Sequence, residues 1–193
     1  QAWWLGDYDE SLTIADSALV RADRLTPRHR AMLHAARARA LARLGRVQET
    51  LAAVGVADEE FHRPDPATDS THLRWYNAAE HAAETGHALA DLAAHGHSAD
   101  AAAARLGTAV ADFGDGYARS RAFGQIRLAT LAMSTGDPRR AAEIGGQATA
   151  AAAAIRSRRI TDELRGLGRA ATAHAGIPEV AELRHRIAAA TAT

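Results

Sequence analysis

An all-α solenoid of helix–turn–helix units is the fold this sequence predicts, and three observations predict it. Glycine turns recur at Gly6, Gly45, Gly96, Gly136 and Gly176, at intervals of 39, 51, 40 and 40 residues. Each glycine follows one helical stretch and precedes another, which is the period and layout of a helical repeat. No segment alternates apolar and polar residues for long enough to make a strand. The long interval holds an acidic, proline-containing insertion, DEEFHRPDPATDST, from Asp58 to Thr71. Residues 1–193 are expected to form a single solenoid domain, with 58–71 as an inter-repeat loop.

The elements follow in order. The opening QAWWLG reads as the end of a helix and its turn, so the chain is expected to start part-way through a repeat, as a fragment of a longer protein. Helices are expected over 9–23, 27–44, 46–57, 71–95, 98–113, 117–135, 138–155, 158–174 and 178–190. Thr26 before Pro27 is an N-cap followed by proline at the first helical position, and Asp137 before Pro138 repeats it. Thr71, Ser98 and Ser157 are further expected caps. Pro178 opens the last helix, with Glu179 and Glu182 placed at the positive end of its dipole.

Residue size sets the packing. Ala99–Ala104 and Ala148–Ala154 are mostly alanine, which favours helix and lets neighbouring axes approach closely. Larger residues stand at helical spacing, as in Ile126, Leu128, Leu131 and Met133, or Leu164, Leu167 and Ala171. Trp3, Trp4, Trp75, Tyr76, Tyr117 and Phe123 fall near helix ends, suited to seams between repeats or to the wall of a ligand groove.

Composition narrows the function. The 193 residues are 47% hydrophobic, enough for a sizeable core, and 23 basic and 23 acidic residues cancel. A neutral chain lacks the electrostatic footprint of a nucleic-acid or anionic-membrane binder. No window reaches the roughly 18 consecutive apolar residues of a membrane span, and no signal peptide is evident, so a cytoplasmic place is expected. Cysteine is absent, which removes disulfides, thiolate metal sites and cysteine nucleophiles. All 23 cations are arginine, so a phosphate-loop lysine and Schiff-base chemistry are absent too. Zero lysine beside abundant alanine is the composition that GC-rich coding produces.

The LGDYDES turn and the alanine-rich helix after it resemble the second half of a tetratricopeptide repeat. The runs WYNAAEHAAETGHALADLA, YARSRAFGQIRLATLAMSTGDPRRAAEIGGQA and IRSRRITDELRGLGRAATAHAGIPEVAELRHRI resemble the C-terminal region of a large actinobacterial group. These are transcriptional regulators with an N-terminal Cro/CI-type (XRE-like) helix-turn-helix and a tetratricopeptide-like C-terminal domain. The resemblance spans roughly residues 70–190, and its most telling element is Ile155 to Arg159. It implies a right-handed solenoid of about nine helices that binds a protein, a peptide or a small-molecule effector, or forms a homodimer. Direct contact with DNA would belong to an upstream module that this sequence does not contain.

In tetratricopeptide arrays the first helix of each unit lines the concave face. On the central first helix Glu80, Glu84, His87 and Asp91 fall at i, i+4, i+7 and i+11, on one face, with Asn77 and His81 beside them. The preceding first helix offers Arg30, His34 and Arg37, and the following one Arg121 and Gln125. An acidic strip between two cationic strips is a reasonable ligand or peptide groove. The same residues also suit a solvated face, or pairing between Arg and Glu helices across the repeats. Replacing Glu84 with alanine is expected to alter binding with little effect on stability.

Metal chemistry is a remote alternative. Glu84 and His87 have the Glu-x-x-His spacing of di-iron carboxylate bundles, repeated in Glu59 and His62. His81 with Glu84 would also suit zinc or nickel. Such two-residue matches arise easily by chance in a chain with 10 histidines. No nucleophile–base pair or phosphate cradle sits in an organising context. The expectation is a non-catalytic domain without a cofactor, either the sensing part of a regulator or a standalone interaction scaffold.

Overall fold

The computed structural model describes residues 5–63 and 73–192. The chain packs as two compact units, Gln1–Arg105 and Leu106–Thr193. The described regular structure is helical throughout, which is the fold class the glycine spacing predicts.

The first unit holds α1 (Tyr8–Leu19), α2 (Pro27–Arg43), α3 (Val47–His62), α4 (Ala78–Ala93) and the start of α5 (Ala99–Asp112). Helix α2 is its centre and packs against α1, α3 and α4. Small residues make that possible: Ala31, Ala35, Ala38 and Ala42 are all fully buried, and their short side chains admit neighbouring helices on several sides. Leu41, Val54, Tyr76, Leu89 and Leu92 fill the remaining space.

The second unit continues α5 and adds α6 (Ala118–Thr135), α7 (Pro138–Ala152), α8 (Arg158–Ala170) and α9 (Pro178–Ala190). Helix α6 packs on α7 and α8, and α9 packs on α7 and α8. One continuous core joins Phe123, Ile126 and Met133 to Ile144, Leu164, Leu167, Val180, Leu183 and Ile187. In both units a helix packs on its immediate successor and on the helix two further along. That is the contact pattern of stacked hairpins.

Four of the five expected turn glycines adopt positive φ: Gly6, Gly45, Gly96 and Gly136. Three of these turns close with the same bond, from the amide after the glycine to a carbonyl five residues back. The pairs are Arg46 to Leu41 at 3.0 Å, His97 to Leu92 at 3.2 Å and Asp137 to Ala132 at 3.0 Å. This left-handed closure satisfies carbonyls that the helix end would otherwise leave bare. Gly176 departs from the pattern. A short 3-10 turn, Ala171–His174, has already ended α8, and Gly176 needs no left-handed backbone.

Several boundaries differ from the sequence expectation for identifiable reasons. Helix α1 stops at Leu19 rather than 23, because Arg30 donates to the carbonyls of Ala22 and Leu25 and holds that segment as a 3-10 turn. Helix α3 continues to His62 instead of ending at 57, so Asp58 through His62 belong to the helix and not to a loop. Helix α4 starts at Ala78, capped by Asn77, whose side chain accepts from the Glu80 amide at 3.0 Å. Thr71, expected as that cap, lies outside the described residues, as do Trp3, Trp4 and the remainder of the insertion. The Thr26 and Asp137 caps form as predicted. Ser157 occupies the N-cap position of α8 without a side-chain capping bond.

Candidate functional site

The polar face of α4 turns toward α2 and α3 rather than standing open. Glu84 accepts from Arg39 of α2 at 2.8 Å, and Asp91 lies 3.4 Å from Arg43. Arg39 is a buried cation, with its side chain 8% exposed against 29% for Glu84. His87 and Asp91 are buried, while Glu80 is half-buried. Two of the four residues that share a helical face, Glu84 and Asp91, therefore form a polar seam with α2. Glu84 consequently has a part in stability that the periodicity of α4 does not reveal.

The cations expected to flank that strip already have partners in the same unit. Arg30 pairs with Glu60 of α3 at 2.7 Å, and Arg37 pairs with Asp16 of α1 at 2.6 Å. His34 is half-buried, with a buried Nδ1 that finds no hydrogen-bond partner among the described residues. Burial holds its pKa below the usual imidazole value, and the neighbouring Arg37 and Arg30 act the same way against Glu60 and Asp16. Arg121 and Gln125 lie on α6 in the second unit, where Arg121 donates to the Phe113 carbonyl.

A second constellation centres on His81. Its Nε2 lies 2.8 Å from Asp58 Oδ1, and its Nδ1 lies 3.0 Å from the Tyr76 hydroxyl. Asp58 also receives Arg105 in two-pronged contact, at 2.9 and 2.5 Å, and Arg105 donates to Thr85 Oγ1 at 2.9 Å. The Phe61 ring stacks on His81 with centroids 4.3 Å apart, and Arg28 stands over the Phe61 ring at 5.0 Å and donates to the Tyr76 carbonyl at 2.7 Å. Asp58, Phe61, His62, His81 and Arg105 line a cleft of about 290 Å³.

The electrostatics are self-consistent. Burial pushes the Asp58 carboxyl upward, but the hydrogen bonds from Arg105 and His81 outweigh it and hold the pKa well below the usual range. Burial raises the Tyr76 phenol, aided by Glu84, Asp58 and Glu80, so the hydroxyl stays neutral. A carboxylate only accepts, so His81 Nε2 carries a proton and donates to Asp58. The Tyr76 hydroxyl can donate to Nδ1 or accept from it. Both ring nitrogens are thereby engaged by side chains of the same unit.

Of this constellation only His81 stands out in the sequence as a site residue. Asp58 and Phe61 are hidden because the acidic DEEFH run reads as a loop, although Val54, Asp58 and Phe61 keep helical spacing. Arg105 had a usable signal, as the lone charge after a run of four alanines. For metals, the Glu59–His62 spacing leads elsewhere: His62 Nδ1 contacts the Asp58 carbonyl at 2.7 Å, and Glu84 faces Arg39. Among the described residues, no three acidic or histidine side chains are grouped to hold a metal ion.

Among solved structures, the chain is similar to a crystal structure from Podosopora anserina described as a kinesin light chain with nearly identical TPR-like repeats. The two share 22% identity at a TM-score of 0.62, over 99% of this chain and 90% of that one. The fold is tetratricopeptide-like. At this identity the likeness concerns the fold and carries nothing of activity. No family model matches the chain, and no curated protein matches it. In tetratricopeptide-like terms α2 and α4 are successive first helices, and the Arg39–Glu84 and Arg43–Asp91 pairs join them. No helix among the described residues is long and apolar enough to cross a membrane.

Proposed function

We propose that this chain is a non-catalytic interaction domain that receives a protein or peptide and serves as the sensing or dimerising part of a bacterial transcriptional regulator. The observation that carries the interaction reading is the tetratricopeptide-like fold along nearly the whole chain. Helical repeats of this kind present surfaces rather than catalytic cavities. The regulator context rests on the resemblance over residues 70–190, and a cytoplasmic setting is part of the proposal.

Within the first unit the proposed contact surface is the partly exposed edge of the α2–α4 polar band, where Glu80 and Glu84 reach solvent, together with Arg37 on the side of α2 that faces α1. A partner there would exchange existing ion pairs for its own, which favours specificity over raw affinity. A small-molecule effector or a second copy of the chain would act through the same exchange. Arg121 and Gln125 remain proposed contacts of the second unit.

The test is a gel-shift of the complete gene product on its own upstream DNA, with the 193-residue chain as control. Binding by the complete product alone supports the regulator reading. Binding by neither removes it and leaves a standalone interaction scaffold, to be pursued by partner capture.

A further inference from the structure

Residues Ile155 to Arg158, within the segment that carries the family resemblance most strongly, form one wall of a cleft in the second unit. The cleft lies between the end of α7, the first turns of α8 and the end of α9, and encloses about 540 Å³. That volume falls within the ~300–1,000 Å³ typical of ligand clefts. Ile155, Ile160 and Leu164 supply apolar surface, while Arg156, Arg158 and Arg165 supply guanidinium groups.

The charge around this cleft is unbalanced. Arg156 is exposed and forms no ion pair or hydrogen bond with the described residues. Arg158 is 91% exposed and only approaches Asp162, at 4.0 Å. Arg165 pairs with Asp162 at 3.2 Å and donates to the Thr191 carbonyl at 2.9 Å. Arg158 and Arg165 thus share one carboxylate, and Arg156 has none beside it among the described residues. Arg156 and Arg158 therefore present guanidinium charge at the cleft that only the distant contact to Asp162 offsets among the described residues.

We propose that this cleft seats an acidic peptide segment, with a carboxylate held by Arg156 and Arg158 and an aliphatic side chain laid on Ile155, Ile160 and Leu164. The assignment rests on the interaction reading above and names its partner chemistry. Guanidinium groups match carboxylates in planar, two-pronged geometry, and uncompensated cations at a cleft concentrate anions. The apolar floor selects a body with aliphatic side chains. No aromatic residue lines the cleft, so the stacking platform that single-stranded nucleic acid uses is missing.

The test is an NMR titration of the full chain with an amidated Leu-Glu-Leu-Glu-Ala-Leu peptide and with its Leu-Gln-Leu-Gln-Ala-Leu counterpart. Shifts on the side-chain Nε–H groups of Arg156, Arg158 and Arg165 with the acidic peptide, and much weaker binding of the glutamine peptide, are expected. The double variant Arg156→Glu, Arg158→Glu changes two exposed positions and should lower acidic-peptide affinity by about tenfold or more. The lysine double variant, which keeps the charge, should recover part of that loss. Equal affinity for both peptides, or unchanged affinity in the charge-reversed variant, overturns the assignment. Acidic-peptide shifts confined to α2 and α4 overturn it too, while leaving the interaction reading in place. Binding of an oligonucleotide or of anionic vesicles, with none of the acidic peptide at millimolar concentration, also overturns it.

Discussion

Asp58 on α3 and Arg105 on α5 form a two-pronged ion pair, with Nη2 2.5 Å from Oδ2 and Nη1 2.9 Å from Oδ1. His81 adds a third bond to the same carboxylate. Because the folded pKa of Asp58 lies below its unfolded value of about 3.9, its contribution is fully present above that value and fades as pH falls further. Asp58→Asn should cost about 1–3 kcal/mol at neutral pH. Urea unfolding at pH 7 and at pH 3.5 would check this, and the gap between variant and parent should narrow in acid. A gap independent of pH would show that the carboxylate charge is not what stabilises the cluster.

Glu84 neutralises a buried arginine. Glu84→Ala should destabilise the chain by about 1–3 kcal/mol, the partial exposure of Glu84 keeping the loss below that of a fully enclosed pair. Glu84→Ala combined with Arg39→Met should recover part of it. Chemical denaturation of the single and double variants decides the matter, and strict additivity would mean the pair is not coupled.

His34 should make stability fall as the solution is acidified through the imidazole range. Its folded pKa lies below 6.5, so below that pH the unfolded chain takes up a proton that the folded chain resists. Denaturation midpoints at pH 7.5 and pH 5.5 should drop less in His34→Leu than in the parent. Equal drops would assign the acid sensitivity to other histidines.

Two helix-interior glycines should respond oppositely to alanine. A Cβ on Gly55 would meet nothing within 4 Å, so Gly55→Ala should gain about 0.5–1 kcal/mol from helix propensity. A Cβ on Gly145 would stand 3.0 Å from methyls of both Leu167 and Leu183, which are buried and have little room to retreat. Crowding of about 1–3 kcal/mol should cancel or exceed the propensity gain there. Thermal melts of the two variants would show it, and equal stabilisation would mean the core at Gly145 relaxes freely.

The fold was legible because its punctuation is local. A glycine at a left-handed position, or Thr26 and Asp137 ahead of proline, acts on its own few residues, and the sequence displays those residues together. The sites were less legible because they are made of residues far apart in the chain. Helical spacing groups Glu84, His87 and Asp91, but it does not say that Arg39 and Arg43 stand opposite them. It groups nothing around Asp58, whose partners His81 and Arg105 come from two later helices. An acidic run such as DEEFH looks like a loop until burial of Glu60 against Arg30 holds it helical.

The closures at Leu41–Arg46, Leu92–His97 and Ala132–Asp137 each settle their own backbone accounts without help from a distant strand or helix. Each closure lies at the bend inside a hairpin, between its first and second helices, and depends on nothing beyond that hairpin. Copying or deleting a whole hairpin therefore carries its bend along intact. Lengthening such a protein demands only that the new neighbour match side chains across one face, so its size can drift by whole modules while each bend stays the same.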